Sequence, residues 1–180
     1  MMNCTSCKAG KLMPAFLDDL FPCYTCDNCG GNFVMLSQYL VWADNNPDDS
    51  VVTNHDSEFK AEETSKAMLC PKTGRLMIKY RISAETDHRV DLSPSINAIW
   101  LDKGEWNLFK KEGIAGKLNE VFTDSWQRKI REAKSKETMQ AFYENEFGEK
   151  YPSISKFREM LEQMPNKSAV IAYLISDNPY

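Results

Sequence analysis

The chain has 180 residues, of which 42% are hydrophobic and 11% aromatic, enough apolar material for one domain or two small ones. A formal net charge of -4 and a pI of about 5.3 argue against a broad electrostatic grip on a phosphate backbone. No apolar run approaches the ~20 residues of a membrane-spanning helix, and residues 1–20 lack the pattern of a signal peptide. We therefore expect a cytoplasmic protein that does not contact membranes.

Residues 1–42 are predicted to form a zinc ribbon. Five of the six cysteines fall between Cys4 and Cys29 and no export signal precedes them, which favours metal binding over disulfides. They include two C-x2-C knuckles, and the intervening segment 8–25 has a length typical of ribbon sites. Gly30 and Gly31 follow the second knuckle, where backbone N–H groups must approach sulfur. We predict one structural Zn²⁺ with four ligands: Cys4, Cys7, Cys26 and Cys29.

The remaining cysteine of this group, Cys23, leaves alternatives open. It also forms a C-x2-C pair with Cys26, so spacing alone allows it to replace Cys29 as a ligand. Four thiolates can also bind an iron–sulfur cluster, and a C-x2-C pair can be a reduced dithiol or a redox couple. The glycine pair favours Cys26 with Cys29. A four-sulfur zinc site is closed to substrate, so we expect it to fold the protein and not to catalyse.

Residues 43–66 are predicted to be an acidic flexible linker. They contain seven Asp or Glu residues against two Lys. The net charge is -5 over residues 1–60, +1 over 61–115 and 0 over 116–180. The predicted metal site therefore lies in the most acidic third of the chain, which disfavours a role as a DNA-binding finger.

Residues 67–115 are predicted to be a degenerate, ribbon-like repeat of the first segment. Cys70 matches Cys4, and the Gly-Lys-Leu-Met string of the first copy matches Gly-Arg-Leu-Met in the second. The other three ligand positions hold residues that cannot supply a zinc thiolate: Thr73, Ser93 and Ile96. We therefore expect this copy to be metal-free and stabilised by packing.

The second copy contains a strand and a helix signal of its own. Leu76, Ile78, Tyr80 and Ile82 alternate with other residues in the period-2 pattern of a half-buried strand, and Val90 and Leu92 are predicted on its hairpin partner. Asp102 and Glu105 have the spacing of a capping box at a helix start. In the first copy, Ser37 is the matching cap. Aromatic residues recur at corresponding helix positions in both copies, which favours packing over base stacking: Tyr39, Trp42, Trp106 and Phe109.

The strings CTSC, CDNCGGNF and SPSINAIWLDKGEWNL resemble the bacterial transcription-factor zinc-finger family, which is named for its similarity to the zinc ribbon of TFIIB. The half-motif of that family runs Cys-Pro-x-Cys-Gly-Gly-x-Trp-Leu-Asp-x-Gly-Glu. Its front half is present in the first copy, at Cys26, Cys29, Gly30 and Gly31. Its back half is present in the second copy, at Trp100, Leu101, Asp102, Gly104 and Glu105. The resemblance implies zinc binding in the first copy only.

Residues 116–180 are predicted to form a C-terminal helical bundle. A long helix capped by Thr123, Asp124 or Ser125 is expected to run to about residue 147, ending at Gly148, and Pro152 and Ser153 open the next helix. After Pro165, the short and uniformly apolar string SAVIAYLI is compatible with a strand, but its two alanines favour a last helix. The fold class is therefore predicted to be α+β, with two small zinc-ribbon-like β-hairpin units followed by a helical region.

No nucleophile–base pair, phosphate loop, carboxylate dyad or open metal site is recognisable, so we predict no enzymatic activity. The favoured hypothesis is a zinc-binding adapter that contacts a protein partner through its helical tail, in transcription. The alternative is direct binding of DNA or RNA, motivated by basic residues on the long helix, although acidic residues interrupt them. A third hypothesis is a redox sensor that forms a Cys23–Cys26 disulfide.

Overall fold

The computed structural model of the chain describes residues 2–46 and 66–177. It has the mixed α+β fold that was predicted. Contacts divide the chain into two compact units, Met1–Glu132 and Ala133–Tyr180. Most of the predicted linker, 47–65, lies outside the described residues, and its first three residues continue a helix.

The first unit contains one antiparallel sheet of seven strands, to which both predicted ribbons contribute. The strands are β1 (Met2–Asn3), β2 (Lys11–Leu17), β3 (Phe21–Cys26), β4 (Asn32–Met35), β5 (Ile78–Arg81), β6 (Arg89–Ser93) and β7 (Ala98–Leu101). Their order across the sheet is β1-β2-β3-β4-β7-β6-β5. The segments 1–42 and 67–115 are therefore joined edge to edge through β4 and β7.

The β4–β7 pair has a symmetric arrangement around one residue pair. Phe33 lies opposite Trp100, and these are the two residues that correspond in the sequence comparison of the two segments. From this pair outward the order is β3 then β2 on one side, and β6 then β5 on the other. The hairpin partner predicted for β5 is confirmed, since Val90 of β6 pairs with Tyr80 of β5.

The two faces of the sheet bury different groups of residues, because side chains alternate along each strand. Phe21, Cys23 and Val34 lie in the larger core cluster, which also contains the helices of the first unit. Cys26 and Trp100 lie in a second cluster together with the cysteine knuckles. The four predicted ligands therefore belong to the cluster on one face of the sheet.

Helices α1 (Leu36–Asn45) and α2 (Glu105–Lys111) follow β4 and β7 and form the larger core. Their aromatic side chains pack against each other, with the rings of Trp42 and Trp106 5.6 Å apart in an edge-on arrangement. The Tyr39 hydroxyl donates to the carbonyl of Ala115 at 2.9 Å and accepts from the N–H of Leu118 at 2.9 Å. The prediction that these aromatics are packing residues is confirmed.

The predicted helix caps differ from those observed. The N-cap residues are Met35 and Gly104, and neither helix has a side-chain cap. Half of the predicted capping box is present, because Glu105 Oε2 accepts from the Asp102 N–H at 2.8 Å. Asp102 Oδ1 accepts from Trp100 Nε1 at 2.7 Å, so this carboxylate helps to fix the indole.

The predicted burial of the strand at 76–82 is correct only in part. Ile82 is buried and Tyr80 packs against the larger core, whereas Leu76 and Ile78 are 60% and 46% exposed. Leu76 lies before β5 and forms a bridge with Leu69, which is itself exposed, and Ile78 begins β5 at the edge of the sheet. Met77 is the buried residue there, on the knuckle face.

The C-terminal helices are α3 (Leu118–Val121), α4 (Asp124–Phe147), α5 (Tyr151–Glu162) and α6 (Lys167–Ile175). The positions predicted for the long helix and for the two that follow are confirmed. The start of α4 belongs to the first unit, where Trp126 Nε1 donates to the carbonyl of Ile82 at 3.1 Å. In the described part of the chain no helix has both the length and the apolarity needed to cross a bilayer.

The helical bundle core predicted for 116–180 is not observed within the second unit. Ile130 is the last buried residue among those described, and none of the described residues from 131 to 177 is buried. The apolar stripes read from the sequence are present on these helices, but amphipathic spacing alone does not show what covers a stripe.

Candidate metal centre

Two tight turns place the four candidate ligands. At the first knuckle the N–H of Lys8 donates to the carbonyl of Cys4 at 3.2 Å, and the N–H of Gly10 points at Cys7 Sγ at 3.4 Å. At the second, the N–H of Cys29 points at Cys26 Sγ at 3.5 Å. N–H groups directed at sulfur favour the thiolate, which is the form that binds a metal.

The four sulfur atoms converge on one point. The Sγ atoms of Cys4 and Cys29 are 3.8 Å apart, and those of Cys7 and Cys26 are 3.7 Å apart. All four lie within 4.8 Å of one another. A tetrahedral Zn²⁺ with sulfur ligands at about 2.3 Å requires neighbouring sulfurs to be about 3.8 Å apart. The four cysteines therefore fit a metal ion and could hold one. Across 2–46 and 66–177 no other group of three or more metal-binding side chains is found.

Cys23 is not part of this cluster. It lies three residues before Cys26 on β3, so strand alternation directs the two side chains to opposite faces of the sheet. Cys23 is buried in the larger core, with its Sγ 3.6 Å from Thr25 Oγ1 and 3.9 Å from Asn32 Oδ1. The alternative ligand set that contains Cys23 is not assembled, and a Cys23–Cys26 disulfide would require β3 to be rebuilt.

The four thiols of the cluster differ in burial and in hydrogen bonding, and their pKa values differ as a result. Cys4 and Cys26 are each 2% exposed, whereas Cys7 and Cys29 are half-buried. Hydrogen bonding from the backbone N–H of Ala9 is the main cause that lowers the pKa of Cys7 to about 6. Burial raises the pKa of Cys4 to about 11 and also raises the pKa of Cys29. At neutral pH the metal-free cluster therefore combines a thiolate at Cys7 with protonated thiols at Cys4 and Cys29.

Two glycines permit close approaches around the site. A Cβ added to Gly10 would collide with Cys26 Sγ, and one added to Gly31 would collide with the indole of Trp100. The sequence prediction recognised Gly31 through its position after the second knuckle but missed Gly10. The signal for Gly10 is its spacing of three residues after Cys7, which mirrors the placement of a glycine close behind Cys29.

The corresponding positions of the second segment also lie together, but with a single thiol. Cys70 is completely buried and hydrogen-bonds with the side chains of Ser93 and Thr73. Burial raises the pKa of Cys70, yet the hydrogen bonds outweigh it and the net pKa is below the ordinary value. The N–H of Gly74 donates to the carbonyl of Cys70 at 2.8 Å, which repeats the turn found at Cys4. Hydroxyl groups occupy two of the places where the first segment has sulfur, at Thr73 and Ser93, and the apolar Ile96 occupies a third.

No known protein family, characterised protein or solved structure gives a significant match to the chain. What the site can bind is determined by its four sulfur atoms and the groups around them. The resemblance to the transcription-factor zinc-finger family stays a prediction.

Proposed function

We propose that the chain is a zinc-binding protein-interaction module in which zinc has a purely structural role. The observation that carries this proposal is the closed cluster of four thiols, with sulfur separations of 3.7 and 3.8 Å in two of its pairs. Four protein ligands complete a tetrahedron and leave no position for water or substrate. The bound ion would supply a cross-link between two turns of the chain, and the residues that hold it are Cys4, Cys7, Cys26 and Cys29.

The cross-link would reinforce the end of the sheet where the two knuckles meet, in addition to backbone hydrogen bonds such as those of Cys4 with Gly10 and of Cys26 with Gly31. Cys4 follows β1, which contains only two residues, and Cys26 ends β3. A metal that binds only the folded site would add its binding free energy to folding and anchor the short first strand. We assign zinc over an iron–sulfur cluster, because the sulfur separations match a single tetrahedral ion.

The second segment is, in this proposal, a ribbon that has lost its metal. Three features support it: the matching turn at Cys70, the central Phe33–Trp100 pair, and left-handed backbone at Gly30 and at the corresponding Asn97. These features also support kinship with the transcription-factor zinc-finger family and thus a role connected with transcription.

Protein is the partner we propose for the helical region, in preference to nucleic acid. The basic residues on α4 are partly neutralised by neighbours, since Lys134 pairs with Glu137 at 3.1 Å and Arg128 lies 3.8 Å from Glu132. The acidic charge of residues 1–60 further disfavours a phosphate backbone. Apolar side chains, by contrast, are abundant on the exposed surface of α5 and α6.

Two measurements on the purified full chain test the proposal. Elemental analysis should find one zinc per chain, and a fluorescence anisotropy titration with duplex DNA and with single-stranded RNA near physiological salt should show no appreciable binding. Salt-dependent binding of either nucleic acid would favour the alternative, a nucleic-acid-binding ribbon. Absence of zinc, or catalytic turnover that depends on it, would contradict the structural role.

A further inference from the structure

The second compact unit, Ala133–Tyr180, has helices but no core of its own among its described residues. No described residue from 131 to 177 is buried. Nine large apolar side chains between Met139 and Ile175 are exposed by 38 to 77%. A unit of this size stabilises itself poorly even with a core, and oligomerisation is one of the usual remedies. These helices therefore need another surface against which to pack.

The apolar residues of α5 have the spacing of a helix that packs lengthwise against others. Ile154, Phe157 and Leu161 are separated by three and four residues, and Met164 extends the series just beyond the helix. This 3-4-3 spacing brings all four onto one face. Ile154 and Phe157 are 40% and 38% exposed, so contacts within the chain cover this face only in part.

Helix α6 adds a second apolar surface. Ile171, Leu174 and Ile175 share one of its faces and are 40%, 55% and 77% exposed. A helix of such uniform apolarity is normally buried. The two helices contact each other across a short connection, 163–166, and Lys167 pairs with Glu162 at 2.6 Å beside it. We call the apolar surface of α5 and α6 the helical face.

We propose that the helical face binds the same face of a second copy of this chain. Two α5–α6 pairs would then form a four-helix bundle, in which each copy supplies half of the core. This inference rests on the proposed function, because it names the partner of the same helical region.

The exposed area fits a dimer. Without Tyr173, which points away from Ile171, six large apolar residues of α5 and α6 are exposed by about half on average. At ~200 Å² for each fully exposed residue, they present on the order of 600 Å². A standard stable interface takes about 800 Å² from each partner, so this face and its polar rim are sufficient for one.

The charge of the unit also fits association with itself. Residues 133–180 contain six Lys or Arg and seven Asp or Glu, a net charge of -1. Two copies therefore do not repel each other strongly, and the unit has no charge excess that would select a strongly acidic or basic partner. The same face of a second copy is complementary because it is equally apolar and carries no large net charge.

The test is the mass of the zinc-loaded full chain by light scattering and sedimentation. We expect a dimer of two 20.7 kDa chains that dissociates on dilution. The variant Phe157→Ala/Met160→Ala/Leu174→Ala should weaken dimerisation at least ~100-fold, since each copy loses three apolar contacts. Alanine is the best helix former, so the substitutions do not disfavour the helices themselves.

The matched control is Phe16→Ala, which removes a 64% exposed aromatic from the sheet unit and should leave the dimer intact. A native chain that stays monomeric up to ~100 µM, far above a typical dimer's dissociation constant, would overturn the inference. So would a triple variant that dimerises as tightly as the native chain. A monomer that still binds zinc and no nucleic acid would leave the proposed function standing, because that depends on the separate measurements above.

Discussion

The five cysteines from Cys4 to Cys29 do not all have the same environment, although the sequence does not distinguish them clearly. Cys26 is part of the four-sulfur cluster, whereas Cys23 lies on the other face of the same strand. The two thiols are equally well buried, at 2% and 5% exposure. Comparing them therefore separates loss of a ligand from loss of a buried sulfur.

We predict that Cys26→Ala lowers bound zinc from one per chain to none and that Cys23→Ala leaves it at one. Loss of the metal should also lower the melting temperature by at least about 10 °C, because a structural zinc contributes several kcal/mol to folding. Elemental analysis and thermal unfolding of both variants provide the measurement. Equal zinc loss in the two variants would contradict the assigned ligand set.

A second prediction follows from the protonation of the cluster. Burial holds the pKa of Cys4 at about 11 and raises the pKa of Cys29, so both thiols must lose a proton when a metal binds at neutral pH. Cys7, with a pKa of about 6, is already a thiolate there. These two protons alone should make zinc affinity rise with pH by at least about two logarithmic units per pH unit between pH 7 and 8. Competition with a chromogenic chelator measures this slope, and an affinity independent of pH would contradict it.

Gly31 permits the contact between the second knuckle and the centre of the sheet. We predict that Gly31→Ala destabilises the protein by about 1–3 kcal/mol, because its methyl group would collide with the indole of Trp100, which is 1% exposed and cannot move freely. Gly116→Ala is the control, since a Cβ there meets nothing within 4 Å and should change stability by less than ~0.5 kcal/mol. Urea denaturation gives both values. A neutral Gly31→Ala would show that the indole has room to shift.

At the scale of single elements, the knuckles were predictable and the sheet was not. C-x2-C spacing is local, so Cys4, Cys7, Cys26 and Cys29 could be grouped from the sequence, and the structure brings them together. Period-2 alternation does not tell which strand edges meet, so the pairing of β4 with β7 could not be foreseen. Ser37 and Asp102 were chosen as caps from residue type, but Asp102 was already engaged by Trp100.

The knuckle of the second segment is the element that best tests the repeat. Its positions 70, 73 and 93 lie together, and the partly buried Ile96 packs against the same cluster. We predict that Thr73→Cys/Ser93→Cys/Ile96→Cys, together with the native Cys70, binds a second zinc and raises the metal content from one to two per chain. Adding Cys70→Ser should return the content to one. A triple variant that stays at one zinc would show that the turn no longer has the geometry of a metal site.

At the scale of the whole molecule, one sheet connects the four-cysteine cluster to strands far from it. Both segments contribute to one core, in which Trp42 and Trp106 are in ring contact. We predict that removing zinc with a chelator speeds hydrogen exchange of β5 and β6 at least ~tenfold, because opening of the first half withdraws packing from the second. Exchange measured by mass spectrometry on peptides covering 78–93 tests this. Unchanged protection there, with faster exchange only near the knuckles, would show that the two halves are energetically independent.

For the C-terminal helices, the sequence predicts where each helix lies but not what packs against it. Their positions follow from caps, prolines and apolar spacing, all of which are local signals. The stripe on α5 predicts the core of a bundle, yet Ile154 and Phe157 are 40% and 38% exposed. An apolar stripe indicates that something packs on it, and only the fold shows whether that partner belongs to the same chain.

The pairing of Phe33 with Trp100 has a consequence for how the two halves can change. In a symmetric pair of separate chains, every substitution appears twice and must suit both places at once. Here the halves are covalently joined, so a bulkier ring at Trp100 can be accommodated by Gly31, while the smaller Phe33 shares its cluster with Ala98. Each half can therefore accept substitutions of its own, and hydroxyl side chains can stand at positions 73 and 93 while the cysteines at positions 7 and 26 are kept.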